Sequence, residues 1–167
     1  SYPFVNWTLR AKRRGGRPRH IFVTQNGDWA AYAGNREYRF FSCDGLICTN
    51  PLFYARNRNR WRCQLIPNGV TTERFRGVAA DRARFGLRMD APVAIIVSAL
   101  IPSKRVAEGV RAAAMVPDLQ LLVLGDGERR DEIDALGRDL MAGRYWRTTV
   151  PYGEIPAAYA SADVLLH

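Results

Sequence analysis

Apolar positions in the second half of the chain switch between unbroken runs and helical spacing. Val93 to Leu100 is apolar apart from Ser98, as expected of a strand covered on both faces. Pro102 and Ser103 end it, and Ser103 is a candidate N-cap. Val106, Val110, Ala113 and Ala114 then repeat at helical spacing, predicting a helix over Lys104–Met115. Pro117 and Asp118 close that helix. Leu119–Leu124 reads as a second buried strand, and Gly125-Asp126-Gly127 as the turn after it. Ile133, Leu136 and Leu140 mark the next helix. A short strand at Arg147–Val150, a helix at Ile155–Ala162 and a strand at Asp163–Leu166 complete the series. Strands alternating with helices predict a parallel sheet with crossovers.

The first half is less regular. Asn6–Arg14 reads as the end of a helix closed by Gly15 and Gly16, with Pro18 beyond. Arg19–Gln25 is a β-branched run read as a strand, and Asn26-Gly27-Asp28 as a turn. Trp29–Phe41 is aromatic-rich and fits a short helix plus loop. Gly45–Thr49 reads as a strand, Leu52–Asn59 as a basic helix and Arg62–Pro67 as another strand. Asn68-Gly69 is a strong turn signal. A short helix at Ala79–Phe85, broken by Gly86, follows. These signals divide the chain into parts 1–75 and 76–167, with Asn68 and Gly69 in the linker.

A chain of 167 residues can bury one core and part of another. No run reaches the length of a membrane-spanning helix. The net charge is +9, and Lys12 and Lys104 are the only lysines. Arginines cluster from Arg10 to Arg19 and from Arg56 to Arg62, a density that favours anionic partners: nucleic acid, acidic lipid or phosphate. Genome composition is the plainer source of arginine excess. Cys43, Cys48 and Cys63 are odd in number and match no zinc spacing; with only His20 and His167 beside them, no metal is expected. Free thiols and no secretory leader predict a cytoplasmic protein.

One junction has the makings of a ligand site. Ser98 to Arg105 joins the carboxyl end of a buried strand to the start of a helix, the edge where open α/β sheets bind ligands. Free N–H groups and the positive helix end attract phosphate there. Lys104 and Arg105 would sit unfavourably in that first turn unless an anion neutralised them, although a solvated lysine on an exposed helix end fits the same residues. Gly125, Asp126 and Gly127 occupy the next strand end, where glycines let a backbone approach a ligand closely, or simply make the turn. No serine has a nucleophile-elbow setting. Asp131, Glu132, Asp134 and Asp139 lie with Arg129, Arg130 and Arg138 on what reads as a solvated ion-pair face.

Several of these strings, in order, resemble one family. Ile66-Pro67-Asn68-Gly69-Val70, followed by Phe75, is similar to the domain-crossing passage of retaining GT-B glycosyltransferases of the group 1 type. Thr71 stands where that family usually has Asp. Lys104 falls on the family's lysine, and Gly125-Asp126-Gly127 on its turn. Ile155 to Leu166 resembles its helix-strand segment. Ser98 and Ala99 fall on its Gly-Arg pair, so the usual arginine is absent. The resemblance runs from Leu65 to His167.

The resemblance implies an α/β fold of two Rossmann-like parts in a GT-B architecture, both incomplete. The first part is the acceptor side and the second the nucleotide-sugar side. It implies sugar transfer from a nucleoside diphosphate donor with retention. Lys104 would be the catalytic residue, stabilising charge on the departing diphosphate. Ser98, Lys104 and Arg105 would bind that diphosphate, with Arg105 the candidate substitute for the missing arginine. Gly125, Asp126 and Gly127 would lie beside the ligand. No cofactor is implied beyond the nucleotide-sugar substrate. The acceptor would be a saccharide or a lipid-linked group, reached at the cytoplasmic face of a membrane. The family's paired glutamates follow the last strand and are absent here, so this chain by itself is expected to be inactive. Truncated sheet edges predict self-association.

Two other readings stay open at this stage. Tyr54 and Trp61 interleave with Arg56, Arg58, Arg60 and Arg62 like a nucleic-acid-binding stripe. Spacing by two aligns those arginines on a strand but scatters them around a helix. A sugar-nucleotide epimerase of similar shape is the other, though the linker and the Lys104 loop suit the transferases better.

Overall fold

The computed structural model describes residues 21–24, 44–59 and 62–167. The chain divides into two compact units, Ser1–Val70 and Thr71–His167. The helix at Asn6–Arg14, the turn at 26–28 and the Trp29–Phe41 segment lie outside the described residues.

The first unit holds three parallel strands in the order β1-β2-β3: β1 (Ile21–Thr24), β2 (Gly45–Cys48) and β3 (Cys63–Leu65). Helix α1 (Pro51–Asn57) is the crossover between β2 and β3. It starts because Pro51 presets the first helical φ and the Asn50 side chain accepts from the N–H groups of Leu52 (2.8 Å) and Phe53 (3.2 Å). Leu46, Cys48 and Phe53 form the buried core, with Tyr54 and Cys63 packed on it. Burial, and then the neighbouring Cys63, push the Cys48 thiol up to about 11. It is therefore a packing group rather than a nucleophile. Asn68 and Gly69 lie in an exposed stretch without regular structure.

The second unit is a four-stranded, wholly parallel sheet: β4 (Val93–Val97), β5 (Gln120–Leu124), β6 (Tyr145–Thr148) and β7 (Val164–Leu165), ordered β6-β5-β4-β7. Three helices connect them: α2 (Val106–Ala114), α3 (Arg130–Leu140) and α4 (Ile155–Ala160). The order reverses beside β4, whose neighbours are the second and fourth strands in sequence. That is the switch point of a doubly wound sheet. Alternating residues of β4 feed two cores: Ala94 and Ile96 pack with α2 and α3, while Val93 and Ile95 pack with Phe85, Leu87 and Ala158.

Local differences from the sequence reading have physical causes. Only Ala83–Phe85 is helical in the 79–85 stretch, as a 3-10 turn stopped by Gly86 at φ 70°. Pro102–Lys104 is also a 3-10 turn, so α2 starts at Val106 and Ser103 does not cap it. Strand β6 begins two residues earlier than expected, because Tyr145 and Trp146 pair with Leu121 and Leu122. The turn Thr72–Phe75, read with the first part, packs within the second unit. The Phe75 and Tyr159 rings are 6.1 Å apart, and the Arg74 guanidinium lies 4.4 Å from the Tyr152 ring centre.

Candidate functional site at the carboxyl edge of the second sheet

Two loops leave the carboxyl ends of β4 and β5, and backbone hydrogen bonds join them. Ser98 N–H donates to Leu124 O (3.0 Å), Leu100 N–H to Asp126 O (2.9 Å), and Arg129 N–H to Leu100 O (3.0 Å). The pairing of β4 with β5 thus runs on past the strands. Contact this close requires glycine. A Cβ on Gly125 would fall on the Ser98 carbonyl oxygen, and one on Gly127 would come within 2.6 Å of Leu100 O. The glycines of this turn admit a neighbouring loop. Asp126 is exposed, and its Oδ1 accepts the N–H of Gly127 (2.8 Å).

On the β4 loop, the half-buried Ser98 donates its hydroxyl to Ala99 O (3.2 Å). Ala99 is exposed. Lys104 ends the 3-10 turn with an exposed side chain, and its N–H donates to Ile101 O (3.1 Å). Arg105 then adopts φ 52° and ψ 33° at the cap position of α2. This left-handed conformation is costly for a residue with a Cβ. Arg105 Nε donates to Glu108 Oε1 (3.1 Å). Hydrogen bonds hold the Glu108 carboxyl below its ordinary value, first from its own backbone and then from Arg105. The expected diphosphate residues Ser98, Lys104 and Arg105 thus share one loop, which is pinned to the Gly125 turn. Both cations precede the α2 helix instead of lying inside its first turn.

Sequence reasoning missed the group beneath that turn. Asp134, read as part of a solvated face, has a side chain only 14% exposed, and that of Arg147 is 18% exposed. Arg147 Nε donates to Asp134 Oδ1 (2.7 Å), and Tyr145 Oη donates to the same oxygen (2.9 Å). Burial pushes the Asp134 carboxyl up, but the bonds from Arg147 and Tyr145 outweigh it and hold it below the ordinary range. Burial and this carboxylate both push the Tyr145 phenol up. The helix α3 comes close here because Gly137 lies on the Tyr145 ring. The solvated pairs expected on α3 do exist, as Arg129 with Glu132 and Arg130 with Asp131. Among the described residues, no cluster of His, Cys, Asp and Glu could hold a metal ion.

No protein-family model matches the chain. The lipopolysaccharide core biosynthesis glycosyltransferase LpsE of Rhizobium meliloti (strain 1021) is 32% identical over 107 residues, covering 63% of this chain and 32% of that protein. The chain therefore spans about a third of the length of that curated relative. Among solved structures, Anabaena Alr3699/HepE in complex with UDP-glucose matches 98% of this chain and 50% of its own, with a TM-score of 0.76 and 14% identity. WaaG, a glycosyltransferase involved in lipopolysaccharide biosynthesis, matches 98% of this chain and 56% of its own, with a TM-score of 0.70 and 16% identity. The fold is the Rossmann-like α/β fold of GT-B glycosyltransferases, as the sequence predicted.

Proposed function

We propose that this chain belongs to a glycosyltransferase that moves a sugar from a nucleoside diphosphate donor to an acceptor with retention. The donor diphosphate docks at the carboxyl edge of the second sheet. One observation carries the reading: the loop bearing Lys104 and Arg105 stands at the switch point of a doubly wound sheet and is pinned backbone to backbone against the Gly125 turn. Substrate phosphates dock at such edges because helix-end N–H groups and nearby cations face them. A relative whose name records sugar transfer, and a like-folded protein crystallised with UDP-glucose, support the same reading.

In this reading Lys104 is the catalytic residue. Its ammonium neutralises charge that grows on the diphosphate as the sugar–oxygen bond breaks, which lowers the barrier electrostatically. Ala99 occupies the place of a second cation, and Arg105 supplies that charge from the other end of the loop. The unit Ser1–Val70 is the acceptor side, and Asn68 and Gly69 belong to the linker. The acceptor is a saccharide or a lipid-linked group met at the cytoplasmic face of a membrane.

Titration calorimetry with uridine diphosphate tests the donor site. The wild-type chain should bind, and Lys104→Ala should weaken binding at least tenfold with an unchanged thermal midpoint. A wild-type chain that binds no nucleoside diphosphate, or a Lys104→Ala chain that binds as tightly as wild type, would overturn the assignment.

A further inference from the structure

We propose that Arg147, locked by Asp134, is a positioning residue that fixes the Gly125-Asp126-Gly127 turn at the carboxyl edge of the sheet. The strand β6 holds both backbone groups of Gly125. The Gly125 N–H donates to Thr148 O (3.1 Å), and Arg147 Nη1 donates to Gly125 O (3.4 Å). From the other side, the Ser98 carbonyl fills the space where a Gly125 side chain would stand. The turn is thus gripped between the β4 loop and β6.

Its carbonyl grip is the unusual part. Tyr145 and Arg147 alternate on the face of β6 that packs against α3, where Tyr145 joins the apolar cluster around Ile133 and Met141. An aliphatic residue at 147 would complete that cluster. A largely buried guanidinium–carboxylate pair costs desolvation that apolar packing would not, so stability alone is a poor reason for its presence. The pair instead gives the guanidinium a fixed orientation. Asp134 takes Nε, the Tyr145 hydroxyl occupies the same carboxylate oxygen, and Nη1 is left aimed at the turn. Asp126 of that turn adds a second negative group near Arg147.

Arg147 touches no ligand in this arrangement. It sets the shape of a turn that the proposed donor site uses, and that last step rests on the proposed function. Loss of Arg147 alone strands the Asp134 carboxylate, so the informative variant is Arg147→Met/Asp134→Asn. That variant keeps an acceptor for Tyr145 and leaves no unpaired charge. Arg147→Lys keeps the charge but cannot hold Asp134 and Gly125 O in one plane.

Amide hydrogen exchange on the full 167-residue chain separates positioning from general support. In the double variant, exchange at Gly125, Gly127 and Leu100 should accelerate at least tenfold while the centres of β4 and β5 keep wild-type protection. Arg147→Lys should fall between the two. Unchanged exchange at the turn, or an equal rise across the whole sheet, would overturn the proposal. Uridine diphosphate titration adds the link to the ligand, with at least fivefold weaker binding expected in the double variant. A wild-type chain that binds no nucleotide defeats the donor site but leaves the exchange result to decide the role of Arg147.

Discussion

Arg82 grips both carboxylate oxygens of Asp163, at 2.9 and 2.8 Å, across 81 positions of sequence. The same guanidinium donates to the carbonyls of Ser161, Met89 and Ala91, and Asp163 Oδ2 accepts the N–H of Val93 (2.8 Å). One side chain therefore ties the segment before β4 to the short edge strand β7. Replacing Arg82 with Ala should lower stability by about 2–3 kcal/mol, because several carbonyls and a carboxylate lose their donor together. Arg82→Lys should recover less than half of that, since an ammonium cannot make the forked contact. Chemical denaturation measures both. A loss below about 0.5 kcal/mol, the usual size for a surface change, would contradict this role.

The glycine turn gives a sharper contrast. Gly125→Ala should cost about 3 kcal/mol, because the new methyl group meets the Ser98 carbonyl and two hydrogen-bonded backbones cannot separate cheaply. Gly153→Ala should be nearly neutral, as no atom lies within 4 Å of the added carbon. Thermal unfolding of the two variants side by side checks the difference.

Asp134 predicts a pH dependence. Its carboxyl is held below the ordinary value in the folded chain, while an unfolded chain restores a value near ~3.9. On acidification the unfolded state takes up the proton first. The stabilisation is therefore complete above about pH 5 and is lost as pH falls through the folded value. Arg147→Met should flatten the fall in unfolding free energy between about pH 5 and pH 3, because it removes the partner that depresses the carboxyl. Asp90 and Glu132, held down first by arginine partners, and Glu108, held down first by its own backbone and then by Arg105, contribute equally to both proteins and cancel in the comparison.

Arg105 should separate stability from binding. Arg105→Gly relieves the left-handed backbone strain and loses only an exposed ion pair with Glu108. Stability should rise by about 0.5–1 kcal/mol. Affinity for uridine diphosphate should fall several-fold if Arg105 supplies the second positive contact. Unchanged affinity in this variant would remove Arg105 from the donor site while leaving Lys104 in place.

The sequence carried the sheet of the second unit because Val93–Val97 and Gln120–Leu124 are covered on both faces, which forces an apolar run. It misplaced what depends on partners distant in sequence. Asp134 reads as one more acid on a charged helix until β6 brings Tyr145 and Arg147 beneath it. Ser103 reads as a cap, but Pro102 fixes its own φ and favours a tight turn that runs on to Lys104, leaving Arg105 to absorb the change of direction. Gly125 and Gly127 were legible as a turn, yet nothing local shows that a second loop fills the space they leave.

That filled space limits how such a rim can change over generations. A side chain added at Gly125 or Gly127 strikes backbone. Ala99, Ser103 and Asp126 are exposed, so their side chains can be exchanged with the frame intact. A lineage built on this scaffold can vary the chemistry of its rim through those three positions while the strands below keep their register.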